Sequence, residues 1–207
     1  MSKARDKLRA SAQAKRDRVH AMDLEDGDPL VNAPADAMLL LSIEQIAVLL
    51  KPLMGLAAPR DENNRILEVR PKGHWFEFEV AKLLGYHYPP GSGLFPDLRN
   101  QLLEVKHHTG NSVTIDFGNH HPGSKTVVDA RWNAKMRVRV CEIRYLIALA
   151  PPPLFEVSVM VLATGEQIDG IFGVSPTQTI KYQMGISNKW RAEHAGKLIV
   201  GGKEFTL

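Results

Sequence analysis

Cysteine is nearly missing: Cys141 is the single one in 207 residues. That excludes an intrachain disulfide and a cysteine-based zinc cluster. It also fits a reducing compartment, so a cytoplasmic location is expected. Long hydrophobic runs are missing as well. The best, "MLLLSIEQIAVLL", is short and interrupted by Glu44 and Gln45, so no transmembrane helix is expected. The basic N-terminus is not followed by an apolar stretch, so no secretory signal is expected either. There is no internal repeat. What is present is ordinary for a globular chain, 44% hydrophobic and 24% charged, and its length suffices for one domain with a sizeable core and a short appendage.

The net charge of +3 hides an asymmetry. Residues 1–20 carry seven Lys/Arg against two Asp, and residues 22–36 then carry five acids and no base. Residues 1–36 therefore read as an N-terminal arm, partly helical or flexible, and residues 37–207 as the folded domain. The arm is either a solvated leader or a basic segment that follows a phosphate backbone and releases counterions.

Periodicity places elements along residues 37–207. Ser42 and Gln45 have capping-box spacing ahead of an apolar helix that ends near Lys51 and Pro52. "GHWFEFEVAKLLGY" predicts a second helix with Phe76, Val80, Leu83 and Leu84 on one apolar arc and Glu77 and Glu79 at its edges. Strands are expected near residues 94–98 and 102–107, then in "SVTIDFG", "CEIRYLIALA" and "FEVSVMVLAT". The segment "DARWNAKMRVRV" is ambiguous, and the C-terminal part suggests short strands and a terminal helix or turn. Helices and strands interleaved in this way predict an α/β domain around a mixed sheet.

"GSGLFPDLRNQLLEVKHH" carries the chemistry. With Asn100 and Gln101 as a two-residue turn, Leu98 pairs with Leu103 and Asp97 with Glu104. Asp97, Glu104 and Lys106 then share one face, and Leu98, Leu103 and Val105 the other. Directly opposed like charges are destabilising. Mg²⁺ is the natural compensation, because it accepts one or two carboxylates, keeps waters and binds phosphate oxygens. The backbone carbonyl of Val105 is a further candidate ligand, and Mn²⁺ an alternative ion. Lys106 lies where it would hold the attacking water, help deprotonate it or stabilise charge on phosphorus. The plain alternative is an exposed hairpin with scattered charges.

"FPD" followed after six residues by "EVK" resembles the PD-(D/E)xK nuclease superfamily, and the wording of this stretch is most similar to type II restriction endonucleases. The spacing also resembles the nicking endonuclease of bacterial mismatch repair. The likeness covers about residues 73–150. It implies a restriction-endonuclease-like mixed β-sheet of about five strands flanked by helices, and Mg²⁺-dependent cleavage of double-stranded DNA. It further implies Asp97 and Glu104 as metal ligands, Lys106 as the catalytic lysine and an acidic residue on the preceding helix, for which Glu77 is the candidate and Glu79 the reserve. A homodimer is expected by analogy with enzymes that read palindromes, and residues 41–53 are a candidate part of its contact.

Candidate DNA contacts follow. His107 and His108 sit directly after Lys106, and one of them should point toward the active face. His121 lies in a loop that also holds His120, and Asn133 follows; the His-Asn-His nuclease pattern needs a third histidine soon after, and the next is His194. Lys125, Arg131, Lys135, Arg137 and Arg139 form a basic stretch around Trp132. Lys181, Gln183 and Lys189, with Asn188 and Trp190 close by, have donors and acceptors suited to base edges. The expected function is a site-specific endonuclease of the type II restriction kind. A strand-nicking repair enzyme or junction resolvase would share the same site, and a catalytically idle DNA-binding module would share the fold.

Overall fold

The computed structural model describes residues 40–86, 96–110, 112–115, 121–128, 137–172 and 182–206. The arm at 1–36 lies outside them. Ser42 opens the first described helix, α1 (Ile43–Leu50). Its hydroxyl accepts from the Gln45 N–H at 3.2 Å, and the Gln45 side chain accepts from the Ser42 N–H at 2.7 Å. This is the reciprocal box the spacing predicts. A 3₁₀ turn at Lys51–Leu53 follows, where Pro52 has no N–H with which to continue an α ladder. Ile46, Ala47 and Leu50 are completely buried against the chain's own core. The apolar stripe considered for a dimer contact is therefore already covered.

Helix α2 (Val69–Leu83) begins earlier than the apolar arc suggests. Pro71 falls in its first turn, where a missing N–H is harmless. Gly85, at φ 94°, turns the chain away at its end, a conformation that suits glycine. The strands are β1 (Leu103–His108), β2 (Ser112–Ile115), β3 (Arg144–Leu149), β4 (Val159–Thr164), β5 (Tyr182–Gly185), β6 (Lys197–Val200) and β7 (Lys203–Glu204). Helices α3 (Gly165–Phe172) and α4 (Asn188–Glu193) follow β4 and β5.

Five strands make a mixed sheet in the order β1-β3-β4-β6-β7. β1 runs parallel to β3, β3 antiparallel to β4, β4 parallel to β6, and β6 antiparallel to β7. β2 and β5 pair antiparallel in a separate two-stranded sheet. The large sheet is covered on both faces. Leu103, Val105, Leu146, Ala148, Met160 and Leu162 pack with Ile46, Leu50, Phe76 and Val80 of α1 and α2. On the other face, Tyr145, Ile147, Val159 and Val161 pack with Ile168 of α3 and with Val113 and Met184 of the small sheet. Two-sided burial explains why β3 and β4 read as continuous apolar runs rather than as alternation. The expected α/β mixed sheet flanked by helices is thus present.

Several boundaries differ from the expectation. Pro96 and Asp97 form a bend, not a strand, and Leu98 makes only an isolated bridge to Leu103. β4 starts at Val159; ahead of it Phe155 has φ 55° and Glu156 bridges to Ala57 instead of extending the strand. Of "DARWNAKMRVRV", residues 129–136 lie outside the described residues, and Arg139 makes a bridge to Val127. Among the described residues, no helix is long and apolar enough to cross a membrane.

Candidate active site

The reversal before β1 sets the register of the site. Leu98 donates to the Leu103 carbonyl at 2.9 Å, and Leu103 donates back at 3.1 Å, the pairing the sequence predicts. The turn itself is longer than two residues. It is a 3₁₀ turn at Arg99–Gln101 closed by Leu102, and the left-handed conformation falls on Leu102 (φ 51°) rather than on Asn100. Such a backbone costs energy for a leucine, and burial of its side chain in the core offsets that cost. Asn100 and Gln101 are anchors. The Tyr86 hydroxyl donates to the Asn100 side chain, and Gln101 Oε1 accepts from the Leu41 N–H at 3.0 Å. The turn is thereby tied to the end of α2 and to the entry of α1.

β1 is the edge of the large sheet. Arg144 N donates to Leu102 O at 2.7 Å and Ala150 N to His108 O at 2.8 Å. Even-numbered residues therefore turn their backbone groups toward β3, and odd-numbered ones turn them outward. The Val105 N–H points outward and donates to Asp97 Oδ2 at 2.7 Å. The Asp97 N–H in turn donates to Glu104 Oε2 at 3.2 Å. The two acids are interlocked, each accepting a backbone N–H from beside the other. In an extended strand the Val105 carbonyl points to the same edge. Lys106 Nζ lies 2.5 Å from Glu104 Oε1, which completes a cluster of two acids and one amine on a single edge.

Burial makes this cluster electrostatically tense. Desolvation, followed by the Glu104 and Glu77 charges, pushes the Asp97 carboxyl up to about 8, against the opposing pull of the Val105 N–H and Lys106. Desolvation also raises Glu104, although the Lys106 charge and hydrogen bond work to lower it. For Lys106, burial favours the neutral amine, but Glu104, Asp97 and Glu77 together outweigh it and hold the ammonium above its ordinary value. Two carboxyls held in a desolvated site and answered by one ammonium keep a proton that they would lose in water.

A divalent cation fits this donor set. The oxygen ligands are hard, two are carboxylates, and the Val105 carbonyl faces the same edge. Added positive charge would relieve the repulsion that raises Asp97. Among the described residues no group of three or more His, Cys, Asp or Glu is assembled for a metal, so water would have to fill most of the shell, as Mg²⁺ prefers.

The remaining candidates divide clearly. Glu77 on α2 is partly buried, stands 3.4 Å from His74 Nδ1, and is among the charges acting on both Asp97 and Lys106. His108 shares the Glu104 and Lys106 face of β1. Desolvation, then the Lys106 charge, lowers it to about 4. His107 is a correction. It points to the opposite face, is buried, and packs against Trp75 and Phe76 with ring centroids 6.0 and 5.1 Å away. Strand alternation permits only one of two adjacent histidines on the site face, so His107 belongs to the core and not to a DNA surface.

His121 Nε2 is paired with Asp169 Oδ2 at 3.1 Å, and its Nδ1 accepts from the Gly123 N–H at 3.0 Å. That histidine pins its loop to α3. Lys125, Arg137 and Arg139 are exposed. Arg131, Lys135 and Lys181 lie outside the described residues, as does the side chain of Gln183, whose backbone is in β5. Lys189 is solvent-exposed on α4, 3.9 Å from Glu193. Asn188 Oδ1 accepts from Arg191, and the Trp190 ring stacks on His194 at 4.1 Å.

Sequence reasoning missed Tyr145. It is the register partner of Glu104 across β1 and β3, its side chain is fully buried, and its hydroxyl has no hydrogen-bond partner among the described residues. The available signal was a phenol inside the apolar run "YLIALA". No family model, curated protein or solved structure matches this chain.

Proposed function

We propose that this chain is a Mg²⁺-dependent endonuclease that hydrolyses phosphodiester bonds of double-stranded DNA at defined sites, as type II restriction enzymes do. The observation that carries the reading is the interlock of Asp97 and Glu104 at the open edge of β1, with Lys106 on Glu104. A structural hairpin has no use for two buried, opposed acids, because like charges in that position only destabilise it.

Asp97, Glu104 and the Val105 carbonyl would hold the ion, and Glu77, whose charge acts on Asp97 and Lys106, would orient Lys106 or help to hold a second ion. When bound, magnesium supplies Lewis acidity toward the phosphate and toward water. The chain's own groups do the rest. Lys106, held as an ammonium, donates to the non-bridging phosphate oxygen on which negative charge builds as water attacks in line. Its contact with Glu104 keeps that ammonium on the site face until a phosphate competes for it. His108, held neutral by burial, accepts or donates a single hydrogen bond at the rim. Lys125, Arg137 and Arg139 offer phosphate contacts that fix orientation without reading sequence. Two copies related by a two-fold axis would place two such sites on the two strands of a palindrome.

The test is digestion of supercoiled plasmid by the purified full chain. Linear DNA with fixed ends in Mg²⁺ or Mn²⁺, and intact plasmid in EDTA, is the expected result. DNA left intact in both ions, on plasmid and on genome-length DNA alike, would refute nuclease activity. Nicked circles that never become linear would replace the restriction reading with a strand-nicking one.

A further inference from the structure

The Tyr145 hydroxyl stands out among the buried polar atoms. Tyr145, the second residue of β3, is completely buried in a row of apolar side chains that includes Ile147 and Leu149. A phenylalanine would fill the same space. The added oxygen is buried, and no described residue bonds to it, an arrangement that natural cores rarely keep without a use. Its register partner on the neighbouring strand is Glu104, with both side chains on the same face of the sheet. Glu104 is also the charge whose field reaches the phenol.

We propose that Tyr145 is a positioning residue for Glu104: when a divalent cation draws the Glu104 carboxylate into place, the Tyr145 hydroxyl donates to it and fixes its orientation toward the cation. The inference rests on the metal-binding reading of the site given above. Glu104 has room for the bond. Its Oε1 is engaged by Lys106 and its Oε2 by the Asp97 N–H, while an ionised carboxylate offers about four acceptor positions. When Lys106 turns from Glu104 to a phosphate, Oε1 loses its donor. Tyr145, at the same register on the neighbouring strand, is a buried donor with no acceptor among the described residues. A phenol is suited to the exchange because it is neutral: it orients the carboxylate without competing for the site with a positive charge. Partners of this kind commonly set how well a ligand holds its metal.

The experiment is calorimetric titration of the full chain with Mn²⁺ and with Mg²⁺, before and after Tyr145→Phe. Binding in the substituted chain is expected to weaken by about 10–100-fold, while the melting temperature without metal stays the same or rises, since an unbonded buried hydroxyl has been removed. Equal affinity in both chains would overturn the role of Tyr145 and leave the metal site standing. An unmodified chain that binds neither ion would overturn both together. If Tyr145→Phe does not fold, the unmodified chain still decides. With ¹³C at the tyrosine Cζ, and the other three of its four tyrosines replaced by Phe in turn for assignment, the Tyr145 signal is expected to shift on saturation with Mg²⁺. An unmoved signal would refute the proposal.

Discussion

β1 and the β3–β4 pair lie side by side in one sheet and are built on opposite terms. In β3 and β4, side chains from Tyr145 to Leu149 and from Val159 to Ala163 are buried, and each strand has a partner on both sides. The groups there that burial shifts are the Tyr145 phenol and, at the start of β3, the Arg144 guanidinium. In β1, the outer edge is completed by Leu98 and by a side-chain carboxylate, and Glu104 is 3% exposed beside another acid. One region supplies rigidity and the other uses it. A strained polar cluster persists only where its surroundings over-determine it, and the central strands do that here.

The two regions should therefore fail differently. Lys106→Ala is expected to lower the plasmid-cleavage rate by about 10²–10⁴-fold and, because it leaves the buried Glu104 without its counter-charge, to lower the melting temperature as well; cleavage at the original rate below that temperature would remove the lysine from the chemistry. Leu146→Ala, at a fully buried position one strand away, should cost about 2–5 kcal/mol in denaturant unfolding while the chain that remains folded cleaves at the original rate. If its fold were undisturbed, the central strands would not be the support described.

A third difference concerns pH. The Asp97 carboxyl sits at about 8, against 3.8 for an unperturbed aspartate. Between those values the folded chain holds a proton that the unfolded chain has released, so Asp97 contributes a loss of stability as pH rises from about 4 to 8. The lowered His107 and His108 act in the opposite sense up to about 6.5, so the metal-free protein should lose stability most clearly between about 6.5 and 8. Asp97→Asn cannot ionise and retains an acceptor for the Val105 N–H, so it should flatten that slope, as should saturating Mg²⁺. A slope unchanged by the substitution would mean that Asp97 is not the group titrating. The smallest effect is expected far from both regions. Ser42→Ala removes the α1 cap and should cost about 1 kcal/mol by thermal or denaturant unfolding, with no change in cleavage.

How far each region was legible follows from the same contrast. Local signals carried well. Ser42 and Gln45 cap a helix, the run at 144–149 is a buried strand, and the separation of Leu98 from Leu103 gives the pairing that brings Asp97 to Glu104. Non-local facts did not carry. No pattern within β1 reveals that its neighbour is β3, so Tyr145 could not be placed beside Glu104. Alternation from Glu104 and Lys106 was enough to place His108, and not His107, on the site face; the packing of His107 against Trp75 and Phe76 was not legible. Leu102 was unreadable as the left-handed residue, because propensity favours asparagine there and only burial reverses it. The start of α2 at Val69, with Pro71 in its first turn, lies ahead of the apolar arc and was not marked by it.

The bond from Val105 to Asp97 has a consequence beyond chemistry. A bare strand margin is a template on which a stranger's strand can add itself, and proteins commonly guard such margins with charge. Here the guard is the same carboxylate that would serve the reaction. Removing it altogether, with Asp97→Gly, would unmask the Val105 amide and leave a sticky seam, so a variant made only to silence the enzyme should also be prone to clump.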